Sequence, residues 1–238
     1  MTSRPQHNYY VVTWIVIAAI TVWGFGPTFF LRGLVSADSL PLVLRLHGLV
    51  MTAWLGLFLL QVSLAATGRV IWHRRLGTVG IVMGVTVIVA TLAATRRAAH
   101  LGEGPPGVPT ELFVLASLLA ALAFAMFFAA AIALRRRPDW HQRLMLLATL
   151  TLLGAGVSRL PYDHLPASEF LRSGGPYGLF TIDLLVTYCC VAWDTVRNRR
   201  LHPAFGFGLP MFLILNNLLV IIAAGSTWWH KAFGALAA

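Results

Sequence analysis

Seven long apolar stretches divide the chain, and a short polar segment separates each of them from the next. They cover residues 11–31, 46–66, 78–94, 111–134, 144–160, 177–196 and 209–229. A helix needs about 20 mostly apolar residues to cross the hydrocarbon core of a bilayer. The pattern therefore predicts an all-α integral membrane helical bundle with seven transmembrane helices, forming a single membrane domain over residues 1–238.

One short pattern occurs twice, at the start of the third and of the fifth predicted span. Residues 72–76 (WHRRL) and residues 140–144 (WHQRL) share the form W-H-x-R-L. In both places a helix that runs from the outer to the inner side precedes the motif. The repetition predicts two related helix pairs, spans two–three and four–five, which form a four-helix core with the other three spans around it.

The composition agrees with a bilayer as the solvent. The chain is 58% hydrophobic and only 11% charged, with a mean hydropathy of +0.77, whereas soluble domains carry about 25% charged residues. A formal net charge of +10 would by itself suggest nucleic acid as a partner. At this hydropathy we expect the lipid bilayer to be the partner, and no nucleic acid.

The basic residues are unevenly divided between the two sides of the membrane. Eleven of the 18 lysines and arginines lie in the N-terminal tail and in the second, fourth and sixth loops, which alternation of the spans places on one side. The positive-inside rule makes that side cytoplasmic, so the N-terminus is cytoplasmic and the C-terminus is outside. With its arginine- and alanine-rich usage, the chain is expected in a bacterial cytoplasmic (inner) membrane.

Polar side chains share one helical face of the second span. His47, Trp54 and Gln61 fall at i, i+7 and i+14, and a face of this kind is expected to point into the bundle. His47 could ligate a metal or move a proton. For Trp54 and Gln61, a hydrogen-bonded seam between helices is an equal alternative.

Charged and amide groups in the later spans complete a candidate pocket. Asp183 lies inside the sixth span, and a buried carboxylate needs either a partner or a proton. Arg159 and His47 lie at a comparable depth and could supply the partner. The predicted outward-facing polar pocket consists of His47, Trp54, Gln61, Arg159, Asp183 and Asn216. A purely structural ion pair of Asp183 is the alternative.

Histidines stand beside arginines where helices start on the cytoplasmic side. Two imidazoles from facing helices can hold the iron of a haem b, and neighbouring arginines can pair with its propionates. The candidates for binding this cofactor are His73, His141, His202, Arg75 and Arg143, and the candidates for metal ligation are His47, His73 and His141. The alternative is that these histidines only belong to the positively charged loops.

These motifs resemble those of an uncharacterised family of bacterial multi-span membrane proteins, known only as a domain of unknown function. In that family a His opens one helix on the outer side, H-R-R-L-G opens the next, and H-x-R-x-M followed by a terminal Arg marks a later one. The matching positions here are His47, residues 73–77, residues 141–145 and Arg159.

The run from His47 to Trp54 is also distantly similar to helix openings in transmembrane b-type cytochromes, whose four core helices each carry a His. That resemblance implies at most one haem, on the inner side, because the fourth predicted span has no His to partner His47.

Three functional hypotheses remain open at this point. The first is a redox or electron-transfer protein that binds haem or a metal. The second is a non-redox membrane protein that binds or transports a quinone, another small molecule or a lipid through the polar pocket. The third is an accessory subunit that packs against membrane-protein partners in a respiratory assembly. No residue is assigned as a catalytic group.

Overall fold

The computed structural model of the chain describes residues 4–36, 39–105, 108–160 and 180–238, and all regular structure in these ranges is helical. In chain order the helices are α1 (Arg4–Phe25), α2 (Arg32–Val35), α3 (Leu42–Ala66), α4 (Val70–Leu101), α5 (Thr110–Ala133), α6 (Pro138–Leu150), α7 (Leu153–Val157), α8 (Phe180–Asn198), α9 (Pro203–Leu213), α10 (Leu219–Ala224) and α11 (Thr227–Ala237). One π-helical turn, Gly26–Phe30, follows α1, and a second, Ile214–Leu218, joins α9 to α10. The predicted all-α fold class is confirmed for these residues.

Five helical segments in the described ranges are long and apolar enough to cross a membrane. They are Tyr9–Phe30, Leu42–Ala66, Val70–Leu101, Thr110–Ala133 and Pro203–Ala224. These segments contain most of the predicted first, second, third, fourth and seventh spans. The chain therefore has the helices of a multi-pass membrane protein with apolar surfaces that contact the lipid bilayer.

The predicted fifth and sixth spans are not continuous apolar helices within the described residues. The fifth is divided into α6 and α7, and the Thr151 hydroxyl at the break donates a hydrogen bond to the Ala148 carbonyl at 2.7 Å. Such bonds from Thr to the preceding turn bend helices. The sixth begins outside the described residues, and α8 carries three charged side chains, Asp183, Asp194 and Arg197. Seven spans, the four-helix core and the sidedness of the termini stay predictions.

Two span boundaries differ from the prediction. α4 is 32 residues long and extends beyond the predicted 78–94 at both ends, because arginine has high helix propensity and its long side chain reaches water from the end of a span. The seventh span ends at Ala224, before the predicted 229. Ser226 starts a separate helix there, since its hydroxyl accepts a hydrogen bond from the Trp229 N–H at 3.3 Å.

The chain divides into two compact units, Met1–Thr91 and Leu92–Ala238. In the first unit, α1 packs against α3, where Trp14 Nε1 donates a hydrogen bond to the Leu55 carbonyl at 2.9 Å. The Phe29 ring lies against the backbone of Gly48, in the space that any Cβ at this position would fill. The glycine that follows His47 therefore allows the π-helical turn to approach α3 closely.

In the second unit, α5, α6 and α9 pack around a core of fully buried side chains. The largest of these are Phe124, Phe127, Phe205, Phe212, Leu146, Leu147 and Leu150. Gly208 lies at the contact of α9 with α6, and a Cβ at this position would overlap the buried Leu147 side chain. The close approach of these two helices thus depends on a residue without a side chain.

Replacing Gly208 with Ala is expected to destabilise the second unit by about 1–3 kcal/mol, the usual cost of overpacking a buried site. Gly206 on the same helix is the matched control, since an added Cβ there would lie 3.8 Å from Leu201 Cδ2. G206A should be neutral or gain up to about 1 kcal/mol, because Ala favours helix over Gly. Thermal unfolding of the purified variants in detergent measures both. Equal stability of G208A and G206A would contradict the close contact.

Candidate functional site

α8 carries two aspartates on one buried face. Asp183 and Asp194 are eleven residues apart, close to three full helical turns or about 16 Å along the axis. Thr187 lies on the same face, and the three residues are only 3%, 4% and 0% exposed, in the order Asp183, Asp194 and Thr187. Two carboxylates on the same face of one helix are thus removed from water, and their partners determine what each can do.

Asp194 is held in a bidentate ion pair with Arg143 of α6. Arg143 Nε donates to Asp194 Oδ2 at 3.0 Å, and Arg143 Nη2 donates to Asp194 Oδ1 at 2.9 Å. Nη1 of the same guanidinium donates to the Asp139 carbonyl at 2.8 Å. The guanidinium also lies 5.9 Å from the centre of the Phe205 ring in α9. The buried Arg143 guanidinium therefore connects α6 to both α8 and α9.

His202 connects the start of α9 to the start of α6. Its Nδ1 accepts a hydrogen bond from the Ala204 N–H at 3.1 Å and so caps α9. Its Nε2 lies 3.2 Å from Asp139 Oδ2. Because Nδ1 accepts, the ring proton lies on Nε2, which donates to the carboxylate. A neutral imidazole therefore satisfies both partners at once.

The environment of Asp139 shifts its pKa downward. Burial raises the pKa of this carboxyl, but the hydrogen bonds with His202 and with backbone N–H groups lower it by more, so that it lies below the usual 3.8. A carboxyl whose pKa falls on folding stabilises the folded state above its unfolded pKa and loses this effect as the pH falls through the lowered value. The side chain is 57% exposed, so the contribution is small.

The histidines of the repeated W-H-x-R-L motif make equivalent contacts. His73 Nδ1 lies 3.3 Å from the Gln61 carbonyl at the end of α3, and His141 Nδ1 lies 2.9 Å from the Ala131 carbonyl at the end of α5. The Ala131 carbonyl is among the last four of α5, which lack partners within their own helix, and His141 supplies one. The Gln61 carbonyl lies five residues before Ala66, the last residue of α3. The same contact thus closes the α3–α4 pair and the α5–α6 pair, which supports the predicted helix-pair repeat.

The residues predicted to bind haem fit that cofactor only in part. In both repeat histidines the hydrogen on Nδ1 leaves Nε2 as the basic nitrogen, which an iron ligand requires. Arg143 and both ring nitrogens of His202 already hold protein partners. Arg75 lies over the Trp72 ring, 5.5 Å from its centre. Haem binding by these residues therefore stays a prediction.

The metal-ligand set is not assembled into a cluster in the part of the chain that is described. No group of three or more His, Cys, Asp or Glu side chains that could hold a metal ion occurs there. Instead, the repeat histidines contact carbonyl groups of the helix that precedes each of them.

The six residues of the predicted polar pocket belong to both units. His47, Trp54 and Gln61 lie on α3 of the first unit, and Trp54 is 2% exposed. The other three belong to the second unit, and the pocket as a whole stays a prediction.

Within the second unit, Arg159 and Asn216 each donate a side-chain hydrogen bond to a carbonyl four residues earlier in the chain. Arg159 Nη1 donates to the Ala155 carbonyl at 2.7 Å, and its guanidinium lies 5.5 Å from the centre of the Phe113 ring. Asn216 lies in the π-helical turn, and its Nδ2 donates to the Phe212 carbonyl at 3.2 Å.

Asp183 differs from every other carboxylate of the described second unit in its environment. Its side chain lies in the first turn of α8, and its Oδ1 is buried and receives no hydrogen bond from any residue that the structure describes. Its Oδ2 faces Gly154 of α7, where an added Cβ would be 3.5 Å away. The N-terminal turn of a helix favours a carboxylate, but it does not give Oδ1 a donor.

Asp194 and Asp139 are the site residues that sequence reasoning missed. Asp139 precedes Arg143 by four residues, and Asp194 follows Asp183 by eleven, so helical periodicity could have indicated both.

The chain matches no protein-family model, no curated protein and no solved structure.

Replacing His202 with Ala is expected to destabilise the protein by about 1 kcal/mol, because α9 loses its N-terminal cap. His202→Asn keeps a good capping side chain and should recover most of that loss, although it lacks the contact with Asp139. Chemical unfolding of the two variants in detergent tests this difference. An equal loss in H202A and H202N would show that the cap does not matter.

Proposed function

We propose that this chain is a multi-pass protein of a bacterial cytoplasmic membrane that binds a small cation, or a small molecule with a cationic group, at Asp183. The observation that carries the proposal is the Oδ1 atom of Asp183, which is buried and receives no hydrogen bond from the described residues.

The cost of a buried carboxylate whose Oδ1 receives no donor from the described residues argues for a function. Removing a charged group from water costs several kcal/mol unless a partner offsets it. The same helix face shows how this chain offsets such a cost, since Asp194 receives two donors from Arg143. Asp183 is buried to the same degree, yet its Oδ1 receives no donor from the described residues. Ionisable groups of this kind in membrane helices mark binding sites and transport pathways.

The chemistry of the site restricts the ligand. A carboxylate only accepts hydrogen bonds, so its ligand must donate hydrogen bonds or carry positive charge. The nearby Thr187 hydroxyl does not donate to the Asp183 carboxylate, because it donates to the backbone carbonyl of Asp183 at 2.8 Å. Gly154, which faces Oδ2, brings no competing side chain. A metal cation, an ammonium ion or a protonated amine meets these requirements, and an anion does not.

Thermal unfolding in the chloride salts of Na⁺, K⁺ and ammonium tests the proposal. The salt of a bulky organic cation keeps the ionic strength constant. At a hundredfold excess over its dissociation constant, a bound cation should raise the melting temperature by about 5–10 °C. Asp183→Asn keeps the size of the side chain and removes its charge, so this variant should lose the response.

Asp139→Asn is the matched control, because it makes the same substitution at a carboxylate that is 57% exposed. D139N should respond to the cation as the wild-type protein does. A wild-type protein that none of the three cations stabilises, or a D183N variant that responds unchanged, would contradict binding at Asp183.

Haem ligation by His73 and His141 is the second candidate. What supports it is the Nδ1 contact of each imidazole with a carbonyl, which leaves Nε2 basic. What weighs against it is that each guanidinium nitrogen of Arg143, proposed for the propionates, already donates to a protein acceptor. Reduced-minus-oxidised visible spectra of the purified protein decide this candidate. A colourless sample that His73→Ala and His141→Ala leave unchanged would exclude it.

A further inference from the structure

Six exposed arginines lie at one end of the second unit, and we call them the basic rim. Its members are Arg135, Arg136, Arg137, Arg197, Arg199 and Arg200. Three of them follow the end of α5, and three lie at the end of α8 before α9 begins. The Arg143–Asp194 pair joins α6 to α8, and His202–Asp139 joins the start of α9 to α6. These two contacts bring the two groups of arginines to the same end.

The positive charge of the basic rim is not neutralised by the acidic groups beside it. The nearby carboxylates are Asp194, which is paired with Arg143, and Asp139, which contacts His202. In the described ranges, no ion pair joins a rim arginine to a carboxylate. Arg135 donates a hydrogen bond to the Ile132 carbonyl at 3.1 Å, which leaves its charge in place. The rim therefore presents a concentrated positive surface.

One rim arginine occupies a backbone position that usually requires glycine. Arg199 has a φ of 51°, and it is the one non-glycine residue with a positive φ in the described parts of the chain. It ends α8, where the Arg200 N–H donates to the Thr195 carbonyl at 3.2 Å and the Arg199 N–H to the Val196 carbonyl at 3.3 Å. Gly is the common residue at this position of such a helix end. An arginine kept here despite the strain suggests that its side chain has a role.

The basic rim lies at the ends of two segments that are long and apolar enough to cross a membrane. Arg135 is two residues beyond the membrane-crossing segment Thr110–Ala133, and Arg200 is three residues before the segment Pro203–Ala224. Trp193, which is 58% exposed, lies at the same end, and tryptophan prefers the interface between lipid and water. A bilayer crossed by these two segments would have its phosphate groups next to the arginines.

We propose that the basic rim binds the phosphate headgroups of anionic phospholipids in the adjacent leaflet. Arginine forms paired hydrogen bonds with phosphate oxygens, and clustered basic residues beside a membrane-crossing helix are attracted to anionic lipid. Both groups of arginines also stand at helix C-termini, where unpaired carbonyls favour positive charge. The rim is separate from Asp183, so this inference does not depend on the proposed cation site.

Lipid titration of the purified full-length chain in neutral detergent tests the proposal, with native mass spectrometry as the readout. Phosphatidylglycerol should bind more tightly than phosphatidylcholine, and its advantage should shrink with added salt. Arg199→Gln should weaken phosphatidylglycerol binding about fivefold, the effect expected of one arginine near an anionic surface. Arg96→Gln is the control, since Arg96 is exposed near the end of α4 and outside the rim, and it should leave the affinity unchanged.

Arg199→Gly separates lipid binding from folding. Glycine relieves the positive φ, so R199G should melt at a higher temperature than the wild type while losing the same affinity as R199Q. Unchanged phosphatidylglycerol binding in both variants would overturn the proposal, as would an equal loss in R96Q. Glycerol phosphate that binds as tightly as the intact lipid would overturn it too, because the site would then recognise a free anion.

Discussion

The buried ion pair between Arg143 and Asp194 connects most of the features of the second unit. Both side chains are 5% exposed, and breaking such a pair by removing one partner costs about 3–5 kcal/mol because the other charge stays buried. α6 must therefore meet α8 at this point. The contact of His202 with Asp139 then joins the start of α9 to the same end of α6. The grouping of the exposed arginines follows from these two contacts.

Asp183 and Asp194 illustrate how one helix face can carry two different roles. Asp194 has donors on both carboxylate oxygens, and its charge stabilises the contact between helices. Asp183 is buried to a similar degree, but its Oδ1 lacks a donor from the described residues. Proteins commonly lose stability at binding sites, since the groups arranged for a ligand are not satisfied without it. The proposed cation site is an arrangement of this type.

Local and periodic features of this protein could be predicted from sequence, whereas contacts between distant residues could not. The five membrane-crossing segments follow from hydropathy, and Asp183 was a candidate because a charge within an apolar stretch is conspicuous. Arg143 and Asp194 are 51 residues apart, and nothing in either local sequence specifies the other. For this reason Arg143 was assigned to a cofactor, while the structure gives it a protein partner. The break after α6 could not be predicted from hydropathy, because hydropathy carries no information on the hydrogen bond that the Thr151 hydroxyl makes.

The unfolding free energies of Asp183→Asn and Asp194→Asn, measured side by side without added ligand, test the different roles of the two aspartates most directly. Both variants make the same substitution on the same helix face at nearly equal burial. D194N should lose about 3–5 kcal/mol, because Arg143 remains buried without its partner. D183N should be as stable as the wild type or more stable, since it removes the charge of a buried carboxylate whose Oδ1 receives no donor from the described residues. A loss in D183N as large as that in D194N would show that Asp183 is a structural carboxylate and would contradict the proposed site.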